Sequence, residues 1–420
     1  MAKIITAKEA AALIPDNARV AFGGFLGYGC PEEVLKAVRS SFEETGHPKD
    51  MTLLKGVSVG DKGERGINRL AVDGLLKCVI CSHFGLEPDI ARMAAENKIF
   101  SYMIPLGTIT DWLRIVASRK PGLITKAGLR TFVDPRIEGS KGNELTKEKG
   151  GDIVSLIEVD GEECLFYKAA PLDVCVIRGT YADEDGNISM KREAIHGEQM
   201  EMAAATHNSG GTVIVQVEKI VTKGSIDPRD VYMPELTGDI RIPFDEIEKM
   251  PLSERKICGR RAALELKKDT LVNLGIGMPD AIAAVAAEEG VSSKFTLSIE
   301  SGVLGGVPLG GLALGGSINP EAFYKMADIL NIYDGGGLNM AVLGLAEMDE
   351  KGNLNVSKFN GKVVGPGGFI NISQSTPFVI FTGTFTAGKS DIRVENGKLN
   401  IVKDGNVMKF KKQVEQITFS

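Results

Sequence analysis

Two segments far apart in this chain repeat one pattern: a short apolar run, a cluster of glycines, a proline and an amphipathic helix. They cover residues 19–38 (RVAFGGFLGYGCPEEVLKAV) and residues 271–287 (LVNLGIGMPDAIAAVAA). Pro31 and Pro279 stand where a helix begins, a position at which the missing N–H costs nothing. Each segment therefore predicts a β-strand that passes through a glycine turn into a helix, and the repetition predicts two related halves.

The stretch between these segments indicates where one half ends and the other begins. Residues 236–254 are rich in proline and charge and break the hydrophobic periodicity, which is typical of a connector. A helix is predicted directly after it, over residues 255–268. Alternating strands and helices favour mostly parallel sheets covered on both faces. We therefore predict an α/β fold with two related, mostly parallel halves fused in one chain, residues 1–245 and residues 246–420.

Charge and hydropathy limit the partners of the chain. Its 420 residues include 49 Lys and Arg against 55 Asp and Glu, a net charge of -6, so no overall positive field favours nucleic acid or an anionic membrane. No run reaches the ~18 apolar residues of a membrane span, and the first residues lack the apolar core of a signal peptide. Six cysteines are too sparse for a disulfide framework. These features predict a cytoplasmic protein.

Two motifs resemble cofactor-binding motifs, but their surroundings and spacing do not fit a cofactor site. Cys78 and Cys81 have the spacing of a metal-binding pair, but they lie in an apolar run without a second pair at zinc spacing, so we predict a buried strand and no metal site. The glycines at residues 24–29 do not have the G-x-G-x-x-G spacing of a dinucleotide-binding turn. The sequence therefore predicts neither a metal nor a nicotinamide cofactor.

The most informative carboxylate is Glu300. In residues 295–300 (FTLSIE), period-two alternation places Glu300 at the end of a strand. Five glycines follow it: Gly302, Gly305, Gly306, Gly310 and Gly311. A carboxylate surrounded by backbone without side chains is accessible to a bulky substrate, although a solvated Glu at a strand end is the simpler alternative.

Several motifs, in order along nearly the whole chain, resemble family I CoA-transferases, and most closely the single-chain propionate (acetate) CoA-transferase type. They are residues 20–24 (VAFGG), 131–136 (TFVDPR), 273–279 (NLGIGMP), 300–305 (ESGVLG), 333–337 (YDGGG), 364–369 (VGPGGF) and 385–388 (FTAG). The resemblance implies that Glu300 forms a glutamyl-CoA thioester. It also implies a homo-oligomer that uses CoA and acyl-CoA as substrates, with carboxylic acids as partners and no permanently bound cofactor.

The resemblance also suggests which backbone surrounds the reacting groups. The turn formed by Gly275, Ile276, Gly277, Met278 and Pro279 is expected to lie against CoA, at a helix N-terminus that favours anions. Further expected CoA contacts are Asn339, Gly365, Gly367, Gly368 and Lys389. The candidates for binding the reacting carbonyl through N–H groups are Gly23, Gly24 and Gly367. Asn339 is equally compatible with capping a turn, and Lys389 with an exposed lysine.

The chemistry needs no metal. A carboxylate attacks the thioester carbonyl of an acyl-CoA to give a mixed anhydride and CoA thiolate, and the thiolate returns to the Glu carbonyl to leave a glutamyl thioester. A second carboxylic acid then reverses the sequence. The predicted activity is ping-pong transfer of CoA between short-chain carboxylic acids of the propionate or acetate type.

Two departures from the family pattern keep alternatives open. Leu106 stands where the resembling stretch usually has Gln, and Leu donates no side-chain hydrogen bond. The chain also closes on the β-prone residues 417–419, before the point where single-chain relatives end, which suggests a truncated second half. The alternatives are an acyl-CoA hydrolase on the same fold and a truncated, non-catalytic partner subunit.

Overall fold

The computed structural model describes residues 2–222 and 233–420, which form two compact units. The first unit contains the described residues up to Met233 together with Lys325–Ala327 and Asn360–Gly368. The second contains Pro234–Tyr324, Asp328–Phe359 and Phe369–Ser420. Two short segments from the second half of the chain therefore belong to the first unit. The predicted division after residue 245 stays a prediction.

The first unit is built around one parallel sheet. Its strands are β1 (Arg19–Phe22), β2 (Met51–Lys55), β3 (Leu76–Cys81), β4 (Phe100–Met103), β5 (Gly122–Thr125), β6 (Val154–Val159), β7 (Glu162–Lys168), β8 (Val174–Asp183), β9 (Ile188–Ser189) and β10 (Thr212–Val221). Its helices are α1 (Ala7–Ala12), α2 (Glu32–Thr45), α3 (Pro88–Ala95), α4 (Leu106–Ala117), α5 (Glu144–Lys149) and α6 (Gln199–Asn208).

The sheet order is β10-β8-β1-β2-β3-β4, with every neighbouring pair parallel and β9 antiparallel to β8. Strands β5, β7 and β6 form a separate antiparallel sheet. Because the main strands are parallel, the loops that follow them gather at one edge of the sheet, where α/β proteins bind ligands. Cys78 and Cys81 are buried in β3, as the apolar run predicts.

From residue 234 onward the elements are shorter. The helices are α7 (Pro234–Thr237), α8 (Glu254–Ala263), α9 (Ala281–Glu288), α10 (Met326–Asp334) and α11 (Phe369–Gln374). The strands are β11 (Leu271–Leu274), β12 (Thr296–Ser298), β13 (Val303–Leu304), β14 (Val307–Pro308), β15 (Ser317–Ile318), β16 (Ala322–Phe323), β17 (Met340–Leu343), β18 (Glu347–Asp349), β19 (Leu354–Asn355), β20 (Lys358–Phe359), β21 (Lys362–Val363), β22 (Val379–Phe381), β23 (Thr386–Ala387), β24 (Asp391–Glu395), β25 (Lys398–Lys403), β26 (Val407–Met408) and β27 (Phe410–Lys411).

The sheet of the second unit repeats the arrangement of the first. Its order is β16-β13-β12-β11-β17-β22, and the pairs among β12, β11, β17 and β22 are parallel. The run β22-β17-β11-β12 matches β10-β8-β1-β2, with β11 and β1 in equivalent positions. Each of these two strands leads through glycines into a helix. The prediction of two related α/β halves is therefore confirmed.

Apolar residues of the second unit meet between this sheet and its helices. Val272 and Leu274 of β11 pack with Ile282 and Ala283 of α9 and with Leu297 of β12. Small residues dominate α9, since its sequence is AIAAVAAE, and they let the helix lie close to the strands. This packing fixes the strand ends that carry the glycine turn and Glu300.

One helix differs from its prediction. The helix expected over residues 255–268 begins at Glu254 and ends at Ala263. The chain must reverse before β11 starts at Leu271, and Asp269 takes a positive φ of 59° in doing so. Leu264 falls within the predicted helix but lies beyond its observed end, and it is 80% exposed.

Among the described residues, the helices are too short or too polar for any of them to cross a bilayer.

Candidate active site

Glu300 lies at the tip of a hairpin between β12 and β13. Strand β12 ends at Ser298, so Glu300 is in the turn rather than in the strand. The Gly302 N–H donates to the Ile299 carbonyl at 3.0 Å, and the Ile299 N–H donates to the Val303 carbonyl at 3.0 Å. The Ser301 hydroxyl donates to the Gly315 carbonyl at 2.7 Å. These bonds hold the turn, so the Glu300 side chain is presented by a fixed backbone.

A cluster of polar side chains lies beside Glu300, formed by Asn273, Ser298 and Tyr333. The Tyr333 hydroxyl donates to Ser298 Oγ at 3.0 Å, and Asn273 Nδ2 donates to the Ser298 carbonyl at 3.2 Å. All three side chains are buried. Buried polar groups need partners, and these side chains supply most of them to one another, with Asn273 Oδ1 the exception. The cluster comes from β11, β12 and α10, so the fold itself places it.

The surroundings of Glu300 favour a reactive carboxylate. Burial raises the pKa of Glu300 above its usual range, while a hydrogen bond from Asn273 opposes that rise. Burial also raises the pKa of Tyr333, with the Glu300 charge as a further cause. Tyr333 therefore stays protonated and remains a donor. A poorly hydrated carboxylate is a stronger nucleophile than a solvated one, provided that it is ionised.

The Asn273 contact predicts a pH effect. Because the hydrogen bond stabilises the ionised carboxylate, replacing Asn273 by Ala raises the pKa of Glu300, and the acid limb of any reaction that needs this carboxylate moves to higher pH. Loss of a bond worth ~1 kcal/mol corresponds to a rate about fivefold lower at acidic pH, with a smaller loss near pH 8. The measurement is the rate of the first half-reaction against pH.

Tyr333→Phe is the comparison variant: it removes the Tyr333 hydroxyl, which donates to Ser298 Oγ at 3.0 Å and accepts from Asn273 Nδ2 at 3.4 Å, but it keeps the Asn273 side chain itself. The pH at which the rate falls on the acid side should shift less in Tyr333→Phe than in Asn273→Ala. An unchanged acid limb in Asn273→Ala would show that Asn273 does not act on Glu300.

The predicted CoA turn follows β11 at the same sheet edge as Glu300. Gly275 and Pro279 are buried, Met278 is half-buried, and Ile276 and Gly277 are exposed. Asp280 precedes α9, and its carboxylate accepts from the Gly277 N–H at 3.2 Å and pairs with Arg255. The N-terminus of α9 thus already carries an anion. The exposed backbone of Ile276 and Gly277 remains the predicted contact with CoA.

Asn339 and Lys389 lie elsewhere in the second unit. Asn339 precedes β17 at the amino end of the strands, opposite to Glu300, and its Oδ1 accepts from the Leu271 N–H at 2.8 Å. This bond favours the capping alternative over a contact with the thioester. Lys389 follows β23 and is exposed. Strand β23 belongs to a separate two-stranded sheet, so Lys389 lies outside the sheet whose carboxyl edge carries Glu300.

The other predicted glycines belong to the first unit. Gly23 and Gly24 follow β1, and the Gly23 N–H donates to the Val176 carbonyl at 2.9 Å. The Gly367 N–H donates to the Ser82 carbonyl at 3.0 Å, and the Gly367 carbonyl accepts from the Leu106 N–H at 3.0 Å. Gly368 is buried. The N–H groups of Gly23 and Gly367 are therefore engaged, and an oxyanion would have to replace these bonds.

Gly365 shows why this loop needs glycine. Its φ is 87°, and a Cβ would lie 2.3 Å from the Ser82 carbonyl oxygen and 2.6 Å from His83 Cα. Both are backbone atoms, so neither moves cheaply. We expect Gly365→Ala to destabilise the protein by about 2–4 kcal/mol, from positive φ and overpacking together. Chemical denaturation of the purified protein measures this.

Gly361→Ala is the matched control, because Gly361 has a φ of 70° but open space around it. The free energy of unfolding of Gly361→Ala should fall only by the cost of a positive φ in a residue with a Cβ, about 1 kcal/mol. Equal losses in the two variants would mean that the loop at Gly365 relaxes around a side chain.

The sequence did not single out Asn273, Ser298 or Tyr333 as functional residues. Asn273 carries a signal nonetheless, since it is a polar residue inside the apolar strand LVNL. A polar side chain in a buried strand requires a partner, and that partner marks a polar cluster. Tyr333 begins the motif YDGGG that carries the family resemblance, but that motif assigns the residue no role, and Ser298 carries no signal. Only the pairing of β11 with β12 and the packing of α10 bring the two residues to Asn273.

Comparison with known proteins agrees with this architecture. The family model described as Coenzyme A transferase matches residues 4–240. A caffeate CoA-transferase of Acetobacterium woodii is 44% identical, with 100% of this chain and 85% of that protein covered. An acetate CoA-transferase, YdiF, of Escherichia coli K12 is 38% identical over 99% of this chain and 83% of its own length.

Solved structures of the acyl-CoA transferase YdiF from Escherichia coli O157:H7 superimpose closely. Its apoenzyme has a TM-score of 0.91 at 36% identity, covering 99% of this chain and 83% of that chain. A second structure of that protein, described as a thioester complex with CoA, gives the same values. The family model, the full-length relatives and the shared fold agree, and they confirm the resemblance found in the sequence motifs: the chain belongs to the coenzyme A transferase family and is a family I CoA-transferase.

Proposed function

We propose that this CoA-transferase moves CoA between short-chain carboxylic acids through a thioester on Glu300. The observation that carries the proposal is the placement of Glu300: a partly buried carboxylate at the tip of a hydrogen-bonded turn, with its pKa raised by burial and Asn273 beside it. The YdiF structure described as a thioester complex with CoA supports a covalent route in this family.

In the first half-reaction the Glu300 carboxylate attacks the acyl-CoA carbonyl and CoA thiolate leaves, which forms a mixed anhydride. The thiolate then attacks the Glu300 carbonyl, and the substrate acid leaves as a carboxylate. In the second half-reaction another carboxylate attacks the glutamyl thioester and receives CoA. Gly24, which lies at the carboxyl end of β1, is the remaining predicted N–H donor to the reacting carbonyl.

The proposal also includes the identity of the acceptor acid. An acetate CoA-transferase and a caffeate CoA-transferase are both full-length relatives. We propose acetate and propionate as acceptors, and caffeate tests whether the acyl site also admits an aromatic acid. Pocket contacts discriminate by ~1–3 kcal/mol per methylene, so comparing kcat/KM for the three acids distinguishes the cases. The homo-oligomer and the cytoplasmic location also stay predictions.

The decisive experiment is the mass of the peptide that contains Glu300. The protein is incubated briefly with acetyl-CoA or propionyl-CoA and treated with hydroxylamine, which converts a glutamyl thioester to a hydroxamate and releases CoA. We expect the modification on Glu300 and an unmodified peptide in a Glu300→Ala control. An unmodified peptide from folded wild-type protein at saturating acyl-CoA would overturn the covalent route.

The alternatives from the sequence give different results. An acyl-CoA hydrolase would release CoA without a carboxylate acceptor, at a rate that added acetate does not change. A non-catalytic partner subunit would show neither transfer nor trapping until a second polypeptide is present. Transfer of CoA to labelled acetate by the pure chain excludes both.

A further inference from the structure

A cavity of about 340 Å³ lies within the first unit, and its lining includes none of the residues that the proposed mechanism uses. Four lining side chains are apolar or aromatic: Ile80 of β3, Ile104 after β4, Trp112 of α4 and Tyr167 of β7. None of the four is more than 7% exposed. Ligand pockets have walls of this kind and volumes of about 300–1,000 Å³, so this cavity suits a compact molecule and is too small for CoA.

The cavity lies where two sheets of the first unit meet beside α4. Arg19 of β1 belongs to the parallel sheet and Tyr167 of β7 to the three-stranded antiparallel sheet, and both line the space. Trp112 Nε1 donates to the Lys168 carbonyl at 2.9 Å, and Arg19 Nη1 donates to the Pro171 carbonyl at 2.6 Å. These two bonds hold the segment after β7, which forms one side of the cavity.

Two cations line the cavity without a carboxylate to neutralise them. Among the described residues, neither the Arg19 guanidinium nor the Lys168 ammonium forms an ion pair. The nearby Asp173 carboxylate accepts from the Arg19 backbone N–H, at 2.7 Å. The acid of the described lining, Asp152, is paired with Lys141 at 2.7 Å. The lining therefore has a net positive charge that an anion would balance.

Arg19 is the better placed of the two cations, because it is half-buried whereas Lys168 is exposed. A guanidinium has five N–H donors. Nη1 bonds to the Pro171 carbonyl, and the Nε–H has no hydrogen-bond partner among the described residues. Arg binds carboxylates through two parallel N–H···O bonds, which Lys cannot form. A carboxylate is therefore the anion that Arg19 favours.

We propose that this cavity is a binding site for a small carboxylate with a compact apolar body. The carboxylate pairs with Arg19, and the apolar body packs on Trp112 and Ile104. Arg19 begins β1, whereas the predicted acyl-site glycines follow the other end of that strand. Binding changes no covalent bond, and the inference does not depend on the thioester at Glu300.

The test uses the emission of Trp112, the one tryptophan of the chain, which reports directly from the cavity wall. The purified protein is titrated with cyclohexylacetate, which does not absorb at the wavelength that excites tryptophan. We expect a saturable shift of the emission to shorter wavelength, because the ligand displaces water from the indole. The expected Kd is about 0.1–1 mM, in keeping with the affinity per atom of small ligands.

Two further ligands test the chemistry of the site on wild-type protein. Cyclohexylacetamide has the same shape without the charge, so it should bind at least about tenfold more weakly. Acetate has the charge without the apolar body, so it should leave the emission unchanged at the same concentration. Equal binding of the acid and the amide would overturn the assignment to a carboxylate.

Variants of Arg19 test its place in the site. Arg19→Met should weaken binding of cyclohexylacetate at least about tenfold, and Arg19→Lys about three- to tenfold, because it keeps the charge but not the paired N–H groups. Arg39→Met is the matched control, since Arg39 is a surface arginine of α2 in the same unit, and it should bind as wild type does. Undiminished binding by folded Arg19→Met would overturn the site.

Thermal unfolding gives a second readout. A ligand that binds only the folded protein raises Tm, and at ten times its Kd cyclohexylacetate should raise it by about 1–3 °C. Glu300→Gln should leave both the emission shift and this rise unchanged, which separates the site from the proposed function. If about 10 mM cyclohexylacetate, tenfold above the expected range of Kd, changes neither the emission nor Tm of wild type, the cavity is not a carboxylate site.

Discussion

Replacing Glu300 by Gln should lower kcat for CoA transfer by at least about 10⁴-fold, because the amide cannot attack a thioester and removing a nucleophile typically has this effect. The change preserves size and leaves the turn bonds at Ile299 and Gly302 in place. Folding should therefore be unchanged. The measurement is transfer of CoA from acetyl-CoA to labelled propionate, together with circular dichroism of the variant.

Glu289→Gln is a suitable control, since Glu289 lies in the same unit at the end of α9 and is exposed. It should retain wild-type kcat. If Glu300→Gln keeps more than about a hundredth of wild-type activity, after exclusion of deamidation by mass, Glu300 is not the nucleophile. The acid would then attack acyl-CoA directly, and kinetics would no longer be ping-pong.

Local patterns in the sequence predicted the parts of the fold that depend on neighbours along the chain. The apolar run, glycines and proline of residues 19–38 and 271–287 form β1 with α2 and β11 with α9, as expected. The same reasoning extended the strand to Glu300, two residues beyond the end of β12 at Ser298. Strand alternation continues into a turn without a change in pattern, so the sequence gives no sign of where pairing stops.

The features that depend on tertiary packing could not be read from the sequence. Asn273, Ser298 and Tyr333 meet only because β11 pairs with β12 and α10 covers them. Hydrogen bonding of the Gly367 N–H to Ser82 likewise depends on the segment Asn360–Gly368 joining the first unit.

A buried ion pair next to Gly56, formed by Lys55 and Glu87, is expected to contribute strongly to stability. Lys55 and Glu87 are both fully buried. Glu87 accepts from Lys55 Nζ at 3.2 Å, from the Ser58 hydroxyl at 2.6 Å and from the Val59 N–H at 2.7 Å. It therefore holds both ends of the loop that follows β2.

Glu87→Ala should lower the free energy of unfolding by about 3–5 kcal/mol, because it leaves the Lys55 ammonium buried without its counter-ion and the Val59 N–H without an acceptor. The Lys55 ammonium and the Ser58 hydroxyl then share the His83 carbonyl as their acceptor. Chemical denaturation measures the loss. Glu43→Ala is the control: its partner Arg39 is exposed on α2, and such surface pairs contribute less than about 1 kcal/mol. Comparable losses in the two variants would mean that the His83 carbonyl, which accepts from Lys55 Nζ at 2.6 Å, is enough to stabilise the ammonium without Glu87.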